Sequence, residues 1–199
     1  MNGKNRGIPV TAAIVALNII VYLMEILPTP LSETVYNGGV LVTDQVIRGR
    51  EYWRLLTSVF LHANLMHIFS NMLMLVYVGE AAESMLGSFR YLLLYLFSGI
   101  TGNLLSMYAE TRLGESWVSL GASGAIFGVV GALLVMAVRF RGRTGTITPL
   151  RIGLLIVYSL YSGFQSTGTN NWAHIGGLLG GIAFTILFGP HRMRRRRVY

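Results

Sequence analysis

The chain has 199 residues, 53% of them hydrophobic and only 12% charged, with a mean hydropathy of +0.56. Soluble domains are about one quarter charged, so this composition excludes an ordinary soluble fold and calls for a membrane protein. Cysteine is absent, which excludes a disulfide framework, a thiol nucleophile and a cysteine-ligated metal. In a soluble chain a net charge of +8 would raise nucleic-acid binding, but here the charges collect at the edges of apolar segments.

Six apolar segments follow one another, and each is long enough to be read as a helix crossing a bilayer. The first runs from Val10 to Leu27 and stops at Pro28-Thr29-Pro30. It is too poor in a basic leader and small-residue cleavage site to be a removable signal peptide, so it is expected to persist as a helix. A loop of about 35 residues follows, and in it Tyr52, Trp53 and Arg54 suit a membrane interface. The second segment, Met66 to Leu86, carries His67 and Asn71 on one helical face. The third runs from Tyr91 to Met107. Gly121-Ala122-Ser123-Gly124 then opens the fourth, Ser123 to Phe140, and the fifth runs from Pro149 to Phe164. A polar run, Ser162 to Asn171, separates it from the sixth, His174 to Phe188, and offers a wet outer mouth. The expected fold is all-α: a polytopic membrane protein with six transmembrane helices in one bundle over residues 10–189, between an N-terminal tail (1–9) and a basic C-terminal tail (190–199).

The basic residues orient the bundle. With both termini cytoplasmic, that side gathers Lys4, Arg6, Arg90, Arg139, Arg141, Arg143, Arg151, Arg192 and Arg194 to Arg197, against Arg48, Arg50, Arg54 and Arg112 outside. The Arg194 to Arg197 run beside a span reads as a topology anchor touching anionic lipid, and not as a nucleic-acid site.

This orientation brings four polar groups to one depth. At ~1.5 Å per residue, Ser123 lies ~24 Å from the cytoplasmic end of its helix, His174 ~22 Å, Asn71 ~24 Å and His67 ~30 Å. Singly, each has an ordinary alternative. Gly121, Gly124 and Gly128 form a close-packing pattern in which a serine is unremarkable, and His67 and Asn71 can bond each other or a neighbouring span. Together, a hydroxyl, an imidazole and two further donors in one layer are what acyl transfer needs. Other chemistries fit less well. Ala125 stands where the hydrolase elbow needs glycine, the spacing of His62 and His67 is not that of the helical zinc-protease motif, and the only aspartate, Asp44, lies in the first outer loop. With no evident carboxylate to orient His174, a dyad is expected and not a triad.

With Trp53-Arg54, His67 with Asn71, Gly121-Ala122-Ser123-Gly124, and Ala173-His174 followed by Gly177 and Gly181, the chain resembles the rhomboid intramembrane serine proteases of the compact six-span form. The resemblance implies a Ser123 nucleophile, a His174 base, and an oxyanion held with the help of His67 and Asn71. Gly121, Gly124, Gly177 and Gly181 support that site. Phe127, where many relatives carry tyrosine, keeps an aromatic face for the histidine ring without a phenol. Glu83 resembles a position that ties the second span to its neighbours. The implied function is a serine endopeptidase acting on transmembrane protein substrates among membrane lipids, with no metal or organic cofactor and no nucleic acid. A prokaryotic cell membrane is the expected location. The rival expectation is a catalytically inactive relative that binds transmembrane helices. A small transporter fits poorly, because the spans lack charged or broken-helix sites at the midplane.

Overall fold

The computed structural model describes residues 8–141, 144, 146–166 and 168–190; most of the N-terminal tail and nearly all of the basic C-terminal tail lie outside them. Each of the six apolar segments is a helix. They are α1 (Pro9–Ile26), α5 (Leu65–Leu86), α6 (Ser88–Leu113), α7 (Ser123–Arg139), α8 (Pro149–Gln165) and α9 (Asn171–Phe188). Four of these, α1, α5, α6 and α9, are long and apolar enough by length and composition to cross a membrane, and α7 is a shorter apolar helix. Their ends follow local chemistry. Proline starts α1 and α8, where its missing N–H is no loss. The side chains of Asn64, Thr148 and Asn170 accept first-turn amides of α5, α8 and α9.

The largest departures from the expected bounds are at α6 and α9. Helix α6 is longer than the expected segment at both ends, because its last turns are amphipathic and fall below an apolar threshold. Helix α9 begins at Asn171, ahead of the expected His174, because Asn170 caps it, and α8 runs on to Gln165. Half of the polar run expected between the two spans, Ser162 to Gln165 and Asn171, is therefore helical.

The long first loop also has structure: α2 (Pro30–Gly39), α3 (Thr43–Ile47), α4 (Arg54–Thr57) and a 3-10 turn at Ser58–Phe60. Arg54, 4% exposed, holds it together by donating to the carbonyls of Asn37 (2.8 Å) and Val40 (2.7 Å) and pairing with Glu51 at 2.6 Å. Trp53 is 55% exposed and donates its indole N–H to Gly38 O. The two neighbours thus divide the work, Arg54 as an internal clamp and Trp53 as the outward-facing aromatic. The loop reaches the fourth apolar segment too: Leu41 and Ser119 exchange backbone hydrogen bonds of 3.0 and 3.1 Å, and Gly121 N–H donates to Ser58 O at 2.9 Å.

The core lies among α5, α6, α7 and α9, where Tyr91, Leu94, Val129, Leu133 and Met136 are buried. Helices α7 and α9 meet backbone to backbone. A Cβ at Gly177 would overlap the Gly124 carbonyl, and one at Gly181 the Gly128 carbonyl, so only glycine permits this approach. At the opposite end of the bundle Glu83 accepts from the first amides of α1, Val10 N–H (3.1 Å) and Thr11 N–H (2.8 Å), and from the hydroxyls of Thr11 and Ser88. A carboxylate there satisfies orphan donors and complements the helix dipole. Helix α8 is peripheral, burying Ile152, Ile156 and Gly163 while Leu154, Val157, Tyr158, Tyr161 and Phe164 face outward.

Candidate active site

Ser123 is the first residue of α7 and follows Gly121, whose φ of 125° lies in the region that favours glycine. The turn is fixed from outside by the Ser58 carbonyl, so the first loop sets where α7 begins. Across the glycine seam, α9 presents His174, which is buried. Its Nε2 lies 2.9 Å from Ser123 Oγ. The start of α9 is pinned as well, since the Asn170 side chain donates to Ser106 Oγ (2.6 Å) on α6 and Ser119 Oγ (3.0 Å) ahead of α7. Phe127, one turn along α7 from Ser123, stacks on the imidazole with centroids 4.3 Å apart and planes 9° from parallel. It is therefore packed on the histidine and is not lipid-facing bulk.

His67 and Asn71 come to the same place from α5. A Cβ built on Gly121 would stand 2.8 Å from His67 Nε2 and 3.8 Å from Asn71 Nδ2, so both donors face the turn that precedes Ser123. The Ala63 N–H donates to His67 Nδ1 at 3.4 Å, which leaves the ring proton on Nε2, toward that turn. Asn71 Nδ2 is buried and finds no acceptor among the described residues. A buried amide without a partner is costly, so this free donor beside the turn calls for an explanation beyond packing. The first amides of α7 receive no side-chain cap, so the positive end of its dipole opens on the same space.

Of the residues expected at the site, Ser123, His174, His67, Asn71 and Phe127 come together, Gly121 and Gly124 lie at the turn, and Gly177 and Gly181 lie along the seam. Two contacts escaped the sequence. Asn171 Oδ1 lies 3.1 Å from His174 Nδ1; its signal was the three-residue spacing on one helical face, hidden by the expectation that the helix starts at His174. His62, in the turn ahead of α5, is 2% exposed, neither ring nitrogen has a well-formed hydrogen bond among the described residues, and its ring meets that of His67 at 5.1 Å. Burial, with the His67 ring next in importance, pushes the His62 imidazole down to about 4. Among the described residues no group of three or more His, Cys, Asp or Glu side chains is placed to hold a metal.

A family model described as the Rhomboid domain matches residues 49–191. The chain is 39% identical over 174 residues to rhomboid protease GluP of Bacillus subtilis (strain 168), a match that covers 86% of this chain and 33% of that protein. It is 33% identical over 190 residues to the candidate rhomboid protease YdcA of the same strain, covering 96% of this chain and 94% of YdcA. It is also similar to RHOMBOID-like protein 4 of Arabidopsis thaliana, at 36% identity over 81% of this chain and 41% of that protein. The match to GluP thus spans about a third of that protein's length, whereas that to YdcA spans nearly all of it.

Proposed function

The chain belongs to the rhomboid family, an α-helical polytopic membrane bundle, and from that premise we propose that it is an intramembrane serine endopeptidase with a Ser123/His174 dyad. In this reading α1, α5, α6, α7, α8 and α9 are six spans, both termini are cytoplasmic, and the site opens toward the outer side of a prokaryotic cell membrane. The observation that carries the proposal is the 2.9 Å contact of His174 Nε2 with Ser123 Oγ at the uncapped start of α7.

The mechanism follows from the geometry. Ser123 Oγ attacks the scissile carbonyl carbon while His174 Nε2 takes its proton. The carbonyl oxygen becomes an oxyanion and draws on donors already aimed at the turn: His67 Nε2–H, Asn71 Nδ2–H and the first amide of α7. Collapse of the tetrahedral intermediate passes the proton from His174 to the leaving amine. Water then enters as the second nucleophile, with His174 again as base, and releases the acyl group from Ser123. Substrates are transmembrane segments whose backbone unwinds near the outer boundary, because an intact helix hides its carbonyls in its own hydrogen bonds.

The test uses purified protein in lipid vesicles with a reporter whose transmembrane segment contains helix breakers. The native chain is expected to cut it and Ser123→Ala is not. Equal cleavage by the two forms sinks the proposal. Binding of the reporter without cleavage by the native chain favours instead a silent helix-binding relative.

A further inference from the structure

Asn171 is 5% exposed and sits between two elements. Its Nδ2 donates to the Leu160 carbonyl of α8 at 3.2 Å, and its Oδ1 meets His174 Nδ1 at 3.1 Å. These two contacts form a chain of logic. A backbone carbonyl only accepts, so the amide must turn its NH2 toward Leu160 and its oxygen toward the imidazole. An amide oxygen also only accepts, so His174 must carry its proton on Nδ1. Nε2 is then left as a bare lone pair, facing the Ser123 hydroxyl at 2.9 Å. That is the tautomer a general base needs, and in hydrolases of the serine and cysteine type a third residue commonly holds it there.

We propose that Asn171 is a positioning residue that fixes His174 in the Nδ1–H tautomer, and that it takes its own orientation from the Leu160 carbonyl, so that α8 must lie against α9 for the base to be set. The proposal rests on the dyad reading above. A second observation points the same way: a Cβ at Gly163 would overlap Asn171 Oδ1 and stand 3.0 Å from its Cγ, so glycine at 163 makes the room that the amide occupies. Because α8 is otherwise peripheral, with a largely outward-facing surface, this contact ties the base to the most loosely packed of the long helices. A displacement of α8 away from α9 would release Asn171 and let the imidazole rotate or change tautomer.

The experiment combines one measurement on the native chain with kinetics on variants. In native protein labelled with 15N-histidine, with His174 assigned by its loss in His174→Ala, Nδ1 is expected to be protonated and Nε2 bare at neutral pH. The opposite tautomer overturns the proposal. Asn171→Ala is expected to lower kcat about 10- to 100-fold with KM little changed, the size of one lost orienting hydrogen bond. Gly163→Ala, which keeps the asparagine but crowds it, should lower kcat in the same sense. Asn171→Asp keeps an acceptor for Nδ1–H and adds a negative charge that favours imidazolium, so it should recover kcat relative to Asn171→Ala and move the acid limb of the pH profile upward. The groups around the ring are Ser123 and Phe127 from α7 and Asn171 from α9 itself, with Leu160 and Gly163 of α8 behind the asparagine and His67 from α5 as the other titratable group. Native kcat in Asn171→Ala, or equal losses in the Ala and Asp variants with an unmoved acid limb, overturns the proposal in favour of mere packing. Undiminished cleavage by Ser123→Ala would instead remove the dyad reading, and the tautomer measurement would still decide whether Asn171 sets the ring.

Discussion

Replacing Gly177 by alanine tests whether the glycine seam sets the distance between serine and histidine. A Cβ at 177 would land on the Gly124 carbonyl, with Gly124 C at 2.7 Å and Gly124 Cα at 3.2 Å. Carbon atoms pack best at about 3.5–4.0 Å, so α9 has to move back from α7 by about 1 Å. The obstacle is backbone, so no side-chain rotation relieves it. The Ser123–His174 contact, 2.9 Å in the native chain, would then stretch beyond hydrogen-bonding distance. A misplacement of about 1 Å at reacting groups costs on the order of 100-fold in rate, and overpacking a tight seam costs about 1–3 kcal/mol of stability. The assay is kcat on the reporter in vesicles beside thermal unfolding in detergent, with Gly153→Ala as control. Nothing lies within 4 Å of a Cβ at 153 on α8, so that variant should be as active as native and slightly more stable, by about 0.5–1 kcal/mol. Native activity and an unchanged melting temperature in Gly177→Ala would refute the claim that the seam positions the dyad.

Three further outcomes are expected. Asn71→Ala should lower kcat by about 100- to 1000-fold, the usual cost of an oxyanion donor, while leaving the melting temperature at or above native, because the buried Nδ2 has no acceptor to lose; parallel losses of activity and fold would contradict this. Glu83→Ala should destabilise by about 3 kcal/mol or more, since Val10 N–H, Thr11 N–H and two hydroxyls lose their acceptor, yet the folded fraction should cleave at the native rate. The third concerns His62, held neutral by burial with a folded-state pKa of about 4 against an ordinary 6.5. Its unfolded form binds the proton first, so its contribution is intact above pH 6.5 and is lost as the pH falls toward 4, by up to about 3 kcal/mol. Thermal melts of the native chain should therefore lose stability relative to His62→Gln as the pH falls across that range, and parallel curves would count against a buried neutral histidine.

Helix positions along the chain were legible because hydropathy and polar breaks report directly on burial in lipid. Relative level along the bundle was legible too, since axial rise is fixed: Ser123 and His174 were expected to lie level with each other, and they meet at 2.9 Å. What a span pattern does not encode is contact made by polar groups at its edges. Asn171 looked like loop because a hydrophobic count starts the helix at His174, whereas the cap at Asn170 starts it earlier. The roles of Arg54 and Ser58 depend on long-range partners, the Val40 carbonyl and the Gly121 amide, which no local periodicity records. Glu25 was passed over as well; it accepts the His62 amide at 3.1 Å, bringing the end of α1 against the turn ahead of α5. Phe127 shows the reverse case, in which a residue that is ordinary in any span takes its meaning from the ring opposite it.

The central claim is that Ser123 is a nucleophile activated by His174, and covalent labelling tests it most directly. The native chain in vesicles is treated with a fluorophosphonate, and intact-mass and peptide analysis locate the adduct. The account predicts a single adduct on Ser123, absent in Ser123→Ala and strongly slowed in His174→Ala. A native chain that cuts the reporter while its adduct forms elsewhere, or forms on Ser123 equally fast without His174, would contradict it.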